Sequence, residues 1–184
     1  MKLHLGCGKR NLKGYVHVDI ENYDHIDHVS SIDNLAFIED SSVSEIYSSH
    51  AFEYFDRVQS ISVLAEWHRV LEPGGELYLT VPNFRSLIEI YTVTNDLNAI
   101  IGPLFGRWEN GDNTIYHRTT WDFQSLSSRL EEVGFLQISS FDPVAFLGSV
   151  DPTFDDYSLA FFPHMDHTGI PVSLAMKAQK AFNV

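Results

Sequence analysis

The chain has 184 residues, enough to bury one real core, and its 44% hydrophobic and 13% aromatic content is that of a globular protein rather than a disordered one. Twelve Lys and Arg against 25 Asp and Glu give a formal charge of −13 with no basic cluster, which speaks against nucleic acid and anionic membrane surfaces as partners. Cys7 is the single cysteine, no apolar run approaches the roughly 18 residues that span a bilayer, and no apolar leader follows Met1 and Lys2; the expectation is a reducing, cytoplasmic compartment.

Strand-like and helix-like runs alternate, the pattern of an α/β protein with a mostly parallel sheet. The chain opens on Leu3-His4-Leu5 running into Gly6-Cys7-Gly8, a strand and a turn whose glycines leave bare backbone for a ligand. A second strand, Tyr15 to Val18, ends on Asp19. A carboxylate there can accept hydrogen bonds from both hydroxyls of a ribose. A third strand is expected around Ile26 to Ser30. The intervening stretches, Cys7 to Gly14 and Glu21 to Asp24, are short, whereas parallel neighbours usually need a dozen connecting residues. One sheet face should therefore lack helical cover near the N-terminus. It would be closed by a partner subunit, as in a homodimer, or by late chain segments.

Ser44 to Ser49 reads as the fourth strand, followed by a helix over roughly Arg57 to Leu71. Its inward positions, Ile61, Leu64, Ala65, His68 and Leu71, follow a 3.6-residue period; Asp56 is placed to cap it and Pro73-Gly74-Gly75 to stop it. Leu77, Leu79 and Val81 alternate as a fifth strand that exits at Pro82-Asn83. Phe84 to Ile101 has helical spacing, and Gly102-Pro103, Gly106 and the run Glu109 to Asn113 predict a long polar loop of the kind that forms lids. Thr120 is read as the cap of a helix buried through Phe123, Leu126, Leu130 and Val133 and closed by Gly134. Leu136 to Phe141 and Val172 to Ala178 are the last strands, and Asp142 to Gly169, aromatic, acidic and rich in turns, receives no element. Residues 1–184 are thus one domain, with about 84–120 and 142–169 as substrate or lid insertions.

In this order the motifs resemble those of the Rossmann-like, or class I, S-adenosylmethionine-dependent methyltransferases, in particular the small type 11-like bacterial members. Leu3 to Gly8 resembles the glycine motif and Val18-Asp19 the acidic strand end; Ile46 to Phe55 resembles a strand ending in Ser-His-Val-Leu-Glu-His. Glu66 to Gly75 is similar to the helix-to-Pro-Gly-Gly segment, and Tyr116-His117-Arg118 before Trp121-Asp122 to a Phe-His-Lys…Trp-Asp pattern. The resemblance runs from Leu3 to Lys177. It implies a seven-stranded, mostly parallel sheet with its final strand antiparallel. It also implies S-adenosylmethionine as cofactor, S-adenosylhomocysteine as product, and a small-molecule or sugar acceptor methylated at oxygen or nitrogen.

On that resemblance, Gly6, Cys7 and Gly8 approach the amino-acid part of the cofactor, Asp19 the ribose, and Ser31 and Ile32 the adenine, with Ile20 a further cofactor-binding residue. Ser49 and His50 stand beside the reacting methyl. His50 is the first candidate base, since an imidazole titrates near neutrality. Asn83 leaves the fifth strand at the carboxyl edge where α/β ligands bind. The resemblance places His117 and Arg118 near the acceptor, His117 as a second catalytic candidate; Arg118, Arg85 or Arg107 could bind an acidic substrate group.

The chain departs from the family pattern twice. Ser30-Ser31-Ile32 stands where an acidic residue usually lies near the adenine, so Ser31 replaces it, Asp33 reaches back, or backbone holds the amine; and Tyr54 replaces the motif's second histidine. A methyltransferase-like binding or regulatory domain without turnover is one alternative. A nicotinamide oxidoreductase is another, opposed by Asn11 at the third glycine position and by the short distance to Asp19. His25-x-x-His28 with Asp24 and Asp27, and His164-x-x-His167 with Asp166, contain ligand types but neither His-Glu-x-x-His nor cysteines, and no metal site is assigned. A Gly-x-Ser-x-Gly elbow is missing as well.

Overall fold

The computed structural model describes residues 1–110, 113–163 and 168–182. From the amino end come β1 (Lys2–Leu5), β2 (Val16–Asp19), β3 (His28–Val29), β4 (Val43–Ser49), α1 (Gln59–Val70) and β5 (Leu71–Pro82). Then follow α2 (Phe84–Thr94), α3 (Asn98–Phe105), a hairpin of β6 (Trp108–Asn110) and β7 (Asn113–Ile115), and α4 (Phe123–Val133). The chain closes with β8 (Phe135–Ser140), α5 (Pro143–Val150), the short pair β9 (Phe161–Phe162) and β10 (Ile170–Pro171), and β11 (Ser173–Lys180). Seven strands form one sheet in the order β3-β2-β1-β4-β5-β11-β8. The β1–β5 pairings are parallel, and β11 runs antiparallel to both its neighbours. This is the sheet that the resemblance implies. Among the described residues no helix is long and apolar enough to cross a membrane.

Alternation along the strands gives each face its own core. Leu3, Leu5, Val18, Ile46, Leu77 and Leu79 point to the side where α1 and α4 pack, and all are fully buried. On α1 the buried apolar residues are Val63, Leu64, Trp67 and Val70, so the inward stripe is rotated from the expected one: Ala65 faces solvent and Ile61 and His68 are half-buried. The large Trp67 decides this, because its indole needs both apolar cover and an acceptor. Its N–H donates to the Ile32 carbonyl at 2.7 Å.

The opposite face, where β1 and β2 have no crossover helix, is covered by Leu12, Tyr15 and the late segment: Phe146, Leu147 and Val150 of α5, then Phe154 and Leu159. Late chain segments, one of the two closures expected, do cover this face. His4 lies on this face against Tyr15, His17, Tyr47 and Phe154, and burial holds its imidazole well below the ordinary histidine range.

Four further expectations need correction. The run from Phe84 to Ile101 is two helices: Asn95 takes a left-handed conformation (φ 50°) that ends α2, and the Asp96 carboxylate accepts from the Asn98 N–H to start α3. Gly102 and Pro103 lie inside α3, which stops at Gly106, and the polar run thought to be a loop carries the hairpin strands β6 and β7. Asp122, not Thr120, caps α4, in a reciprocal capping box with Ser125. Pro73-Gly74-Gly75 does follow the helix but is absorbed into β5, where Gly74 (φ 81°) and a register shift against Val43 and Glu45 take up the irregularity. Asp56 does cap α1, accepting from the N–H groups of Val58 and Gln59.

Candidate active site

The carboxyl ends of β1, β2 and β4 open into a cavity of about 580 Å³, within the range that encloses a small organic ligand. Gly6 (φ 67°) begins its floor and donates its N–H to the Val18 carbonyl at 2.9 Å. A Cβ on Gly6 would stand 2.3 Å from the Cβ of Ala51, so the close approach of the chain leaving β4 requires glycine here. Asp19 is fixed by backbone: its Oδ2 accepts from the Gly8 N–H at 2.7 Å and its Oδ1 from the Glu21 N–H at 2.9 Å. Each carboxylate oxygen therefore has one partner and keeps one acceptor position. The Cys7 thiol beside it is pushed up to about 12 by burial and then by the Asp19 charge, which leaves it protonated and inert. Gly6, Cys7, Gly8, Asp19, Ile20, Ser31, Ile32, Ser49 and His50 all line the cavity, whereas Asp33 does not.

At the other end the chain leaves β4 through His50, whose φ of 52° re-aims the ring and whose N–H donates to the Thr80 carbonyl. His50 Nε2 lies 2.7 Å from Ser173 Oγ, and Nδ1 lies 3.2 Å from Glu53 Oε1. His117 approaches the same Glu53 oxygen, with Nε2 at 3.7 Å, while its Nδ1 lies 3.0 Å from the Pro103 carbonyl. The His117 ring rests on Gly106, where a Cβ would come within 2.2 Å of Nε2. Burial lowers the pKa of His117, an effect the Glu53 charge partly offsets. Tyr54 meets the His117 ring edge-on at 4.8 Å, and its phenol is pushed up to about 12 by burial and then by Glu53. Ser49 Oγ donates to Asp156 Oδ1 at 2.5 Å, which ties β4 to the late segment.

Not every expected residue reaches this site. Asn83 is engaged elsewhere: its side chain accepts from the Arg85 N–H to cap α2, and its own N–H donates to Val172. Arg107 and Arg118 line the cavity but Arg85 does not. Arg118 Nη1 donates to Gln59 Oε1 at 3.2 Å, and Arg107 pairs with Glu109 at 2.7 Å. His25 stacks on Tyr23 while His28 stacks on Phe37, and among the described residues no group of three His, Cys, Asp or Glu is arranged to hold a metal ion. The motif at His164, Asp166 and His167 lies outside the described residues.

Sequence reasoning passed over Glu53, Asp156, Tyr157 and Trp108. For Glu53 a signal did exist, as it is the lone carboxylate inside the apolar run Ala51-Phe52-Glu53-Tyr54-Phe55. Asp156 and Tyr157 lie in a stretch without periodicity.

Parallel strands, an inserted antiparallel β11, and an acid-tipped β2 beside a glycine turn define an α/β methyltransferase fold. Solved structures agree. The chain aligns over 97% of its length with 85% of a SAM-dependent methyltransferase from Archaeoglobus fulgidus (16% identity, TM-score 0.56). It also aligns over 97% with 81% of a SAM-dependent methyltransferase from Thermotoga maritima described as a possible histamine N-methyltransferase (12%, 0.58). A Burkholderia thailandensis 1,6-didemethyltoxoflavin-N1-methyltransferase, solved with its substrate and S-adenosylhomocysteine, matches 98% of this chain over 70% of its own (13%, 0.57). No curated protein matches the sequence. Residues 3–79 match the family model described as a methyltransferase domain. The chain thus has the α/β methyltransferase fold and carries, over residues 3–79, a match to a methyltransferase domain, which together support an S-adenosylmethionine-dependent methyltransferase.

Proposed function

We propose that this enzyme methylates a hydroxyl or amine of a small molecule or sugar, with the cofactor held over the Gly6–Gly8 turn and the acceptor beneath His50 and His117. One observation supports this above the others: a single cavity joins a backbone-fixed carboxylate, Asp19, to a pair of imidazoles on Glu53. The residues suit the cofactor. Bare backbone at Gly6 and Gly8 admits its amino-acid end, the two remaining acceptor positions on Asp19 match two ribose hydroxyls, and Ser31 and Ile32 are left for the adenine. When bound, it supplies a methyl on a sulfonium, which passes to a nucleophile while the carbon–sulfur pair stays on sulfur. The protein's share is to align the acceptor and exclude water, an effect that can reach about 7–11 kcal/mol. The Thermotoga and Burkholderia proteins, whose names give small nitrogen compounds, favour an acceptor of that size.

The test is calorimetry with S-adenosylhomocysteine. Wild type should bind it, and Asp19→Ala should bind at least about tenfold more weakly, since hydrogen bonds to a charged acceptor contribute roughly 1.5–3 kcal/mol. Undiminished binding by Asp19→Ala would overturn the placement. Mass spectrometry for co-purified S-adenosylhomocysteine and a screen of hydroxyl and amine acceptors then narrow the substrate.

A further inference from the structure

Glu53 lies behind the cavity wall, fully buried, and neither of its carboxylate oxygens has a hydrogen bond. Burying a lone carboxylate costs several kcal/mol, so something facing it must compensate. Among the described residues only imidazole nitrogens approach within ion-pair distance: His50 Nδ1 at 3.2 Å and His117 Nε2 at 3.7 Å, both on Oε1.

The hydrogens can be accounted for. His117 Nδ1 sits 3.0 Å from the Pro103 carbonyl, which can only accept, so that nitrogen carries the ring's hydrogen. The Ser173 hydroxyl donates to the Tyr157 carbonyl at 3.1 Å. Its oxygen must then receive the hydrogen of His50 Nε2, 2.7 Å away. Each neutral ring thus keeps its single hydrogen on the side facing away from Glu53. Three lone pairs would converge on one buried point, and the arrangement is complete only with a further proton among them.

We infer that His50, Glu53 and His117 act as one proton-holding unit. One proton is shared between His50 Nδ1 and Glu53, the His117 Nε2 position is vacant, and Glu53 is the positioning residue that sets both. The function of the unit, resting on the methyl-transfer reading above, is to take the proton released by a protic acceptor, a hydroxyl or an N–H. Transfer of the methyl to the acceptor's lone pair would break the carbon–sulfur bond with its pair left on sulfur; the acceptor's own bond to hydrogen would then break with that pair staying on the acceptor, and the proton would go to His117 Nε2. The unit then passes from neutral to +1 as the sulfonium charge disappears, so the cavity's charge is conserved. Burial keeps His117 neutral beforehand. Neighbouring groups leave this assignment intact. The rings of Tyr54 and Tyr157 lie crosswise to those of His117 and His50, with centroids 4.8 and 5.9 Å apart; Arg118 is held by Gln59, Arg107 by Glu109, and Asp156 by Ser49 and Ser158.

The experiment is ¹⁵N NMR of histidine-labelled protein without ligand at pH 7. In wild type, His117 should show Nδ1–H with a bare Nε2, and His50 should show hydrogen on both nitrogens. Glu53→Gln is nearly isosteric and neutral, and its amide can donate to His50. In that variant the His50 Nδ1 should lose its hydrogen, while affinity for S-adenosylhomocysteine stays within about threefold. His117→Gln leaves the His50–Glu53 contact in place and should retain the shared proton, which covers the case in which Glu53→Gln fails to fold. A bare His50 Nδ1 in wild type overturns the inference, as does an unchanged His50 in Glu53→Gln. Failure of wild type to bind S-adenosylhomocysteine would instead defeat the cofactor placement, and the spectra would still decide the proton unit.

Discussion

Gly6 and Gly8 look alike in the sequence but answer to different constraints. Both have positive φ, yet a Cβ at Gly6 meets Ala51 at 2.3 Å, whereas one at Gly8 meets nothing nearer than Trp108 at 3.7 Å. Gly6→Ala therefore adds overlap with backbone-borne atoms to a strained dihedral, and should cost about 2–4 kcal/mol and abolish cofactor binding. Gly8→Ala incurs only the dihedral strain, about 1–2 kcal/mol. Urea denaturation with parallel calorimetry separates them; equal losses would mean that the contact with Ala51 is not what demands glycine. Asp19 and the glycines were legible because their roles depend on backbone and charge a few residues apart. Glu53 carried only a faint signal, its place in an apolar run, and its role shows only once His50 and His117 are brought to its carboxylate.

At the scale of elements, existence and type were readable and ends were not. The seven sheet strands and the helices α1 and α4 follow from periodicity, but capping is a competition that spacing alone does not settle. Thr120 and Asp122 could each cap α4; Asp122 wins because its carboxylate reaches the Ser125 N–H at 2.8 Å while Ser125 answers back. Asp122→Ala should cost about 1 kcal/mol in chemical denaturation and Thr120→Ala less than about 0.5 kcal/mol. The reverse order would refute the cap. The segment 142–159 was unreadable for a different reason. Its apolar residues Phe146, Leu147, Val150 and Phe154 match the far face of a sheet made by β1, β4 and β5, so their pattern has meaning only once that sheet exists.

Across the whole molecule, several histidines are held neutral by the fold. His4 is the extreme case, fully desolvated on the sheet face, and burial shifts His17, His68 and His117 in the same direction. Because their folded-state values lie below the ordinary 6.5, the unfolded chain binds more protons as pH falls below about 6.5. Stability is then full above that value and declines below it, by up to about 1.4 kcal/mol per pH unit for each such group. The urea midpoint should fall between pH 7.5 and 5.5, and His4→Leu should reduce the slope by close to one proton. An unaltered slope in His4→Leu would show that His4 is not the group responsible.

The sheet order places β11, residues 173–180, between β5 and β8, and Ser173 at its start supports His50. A turn at residues 6–8 and an imidazole at residue 50 thus wait on a strand more than a hundred residues downstream. During synthesis, the leading half of the sheet can assemble while its second face is still bare, and that intermediate would be prone to association with other nascent chains. A translation product stopped short of residue 173 would have every motif quoted for the cofactor but would lack the Ser173 hydroxyl that holds His50 Nε2. Such a fragment should be a client for chaperones rather than a weak enzyme.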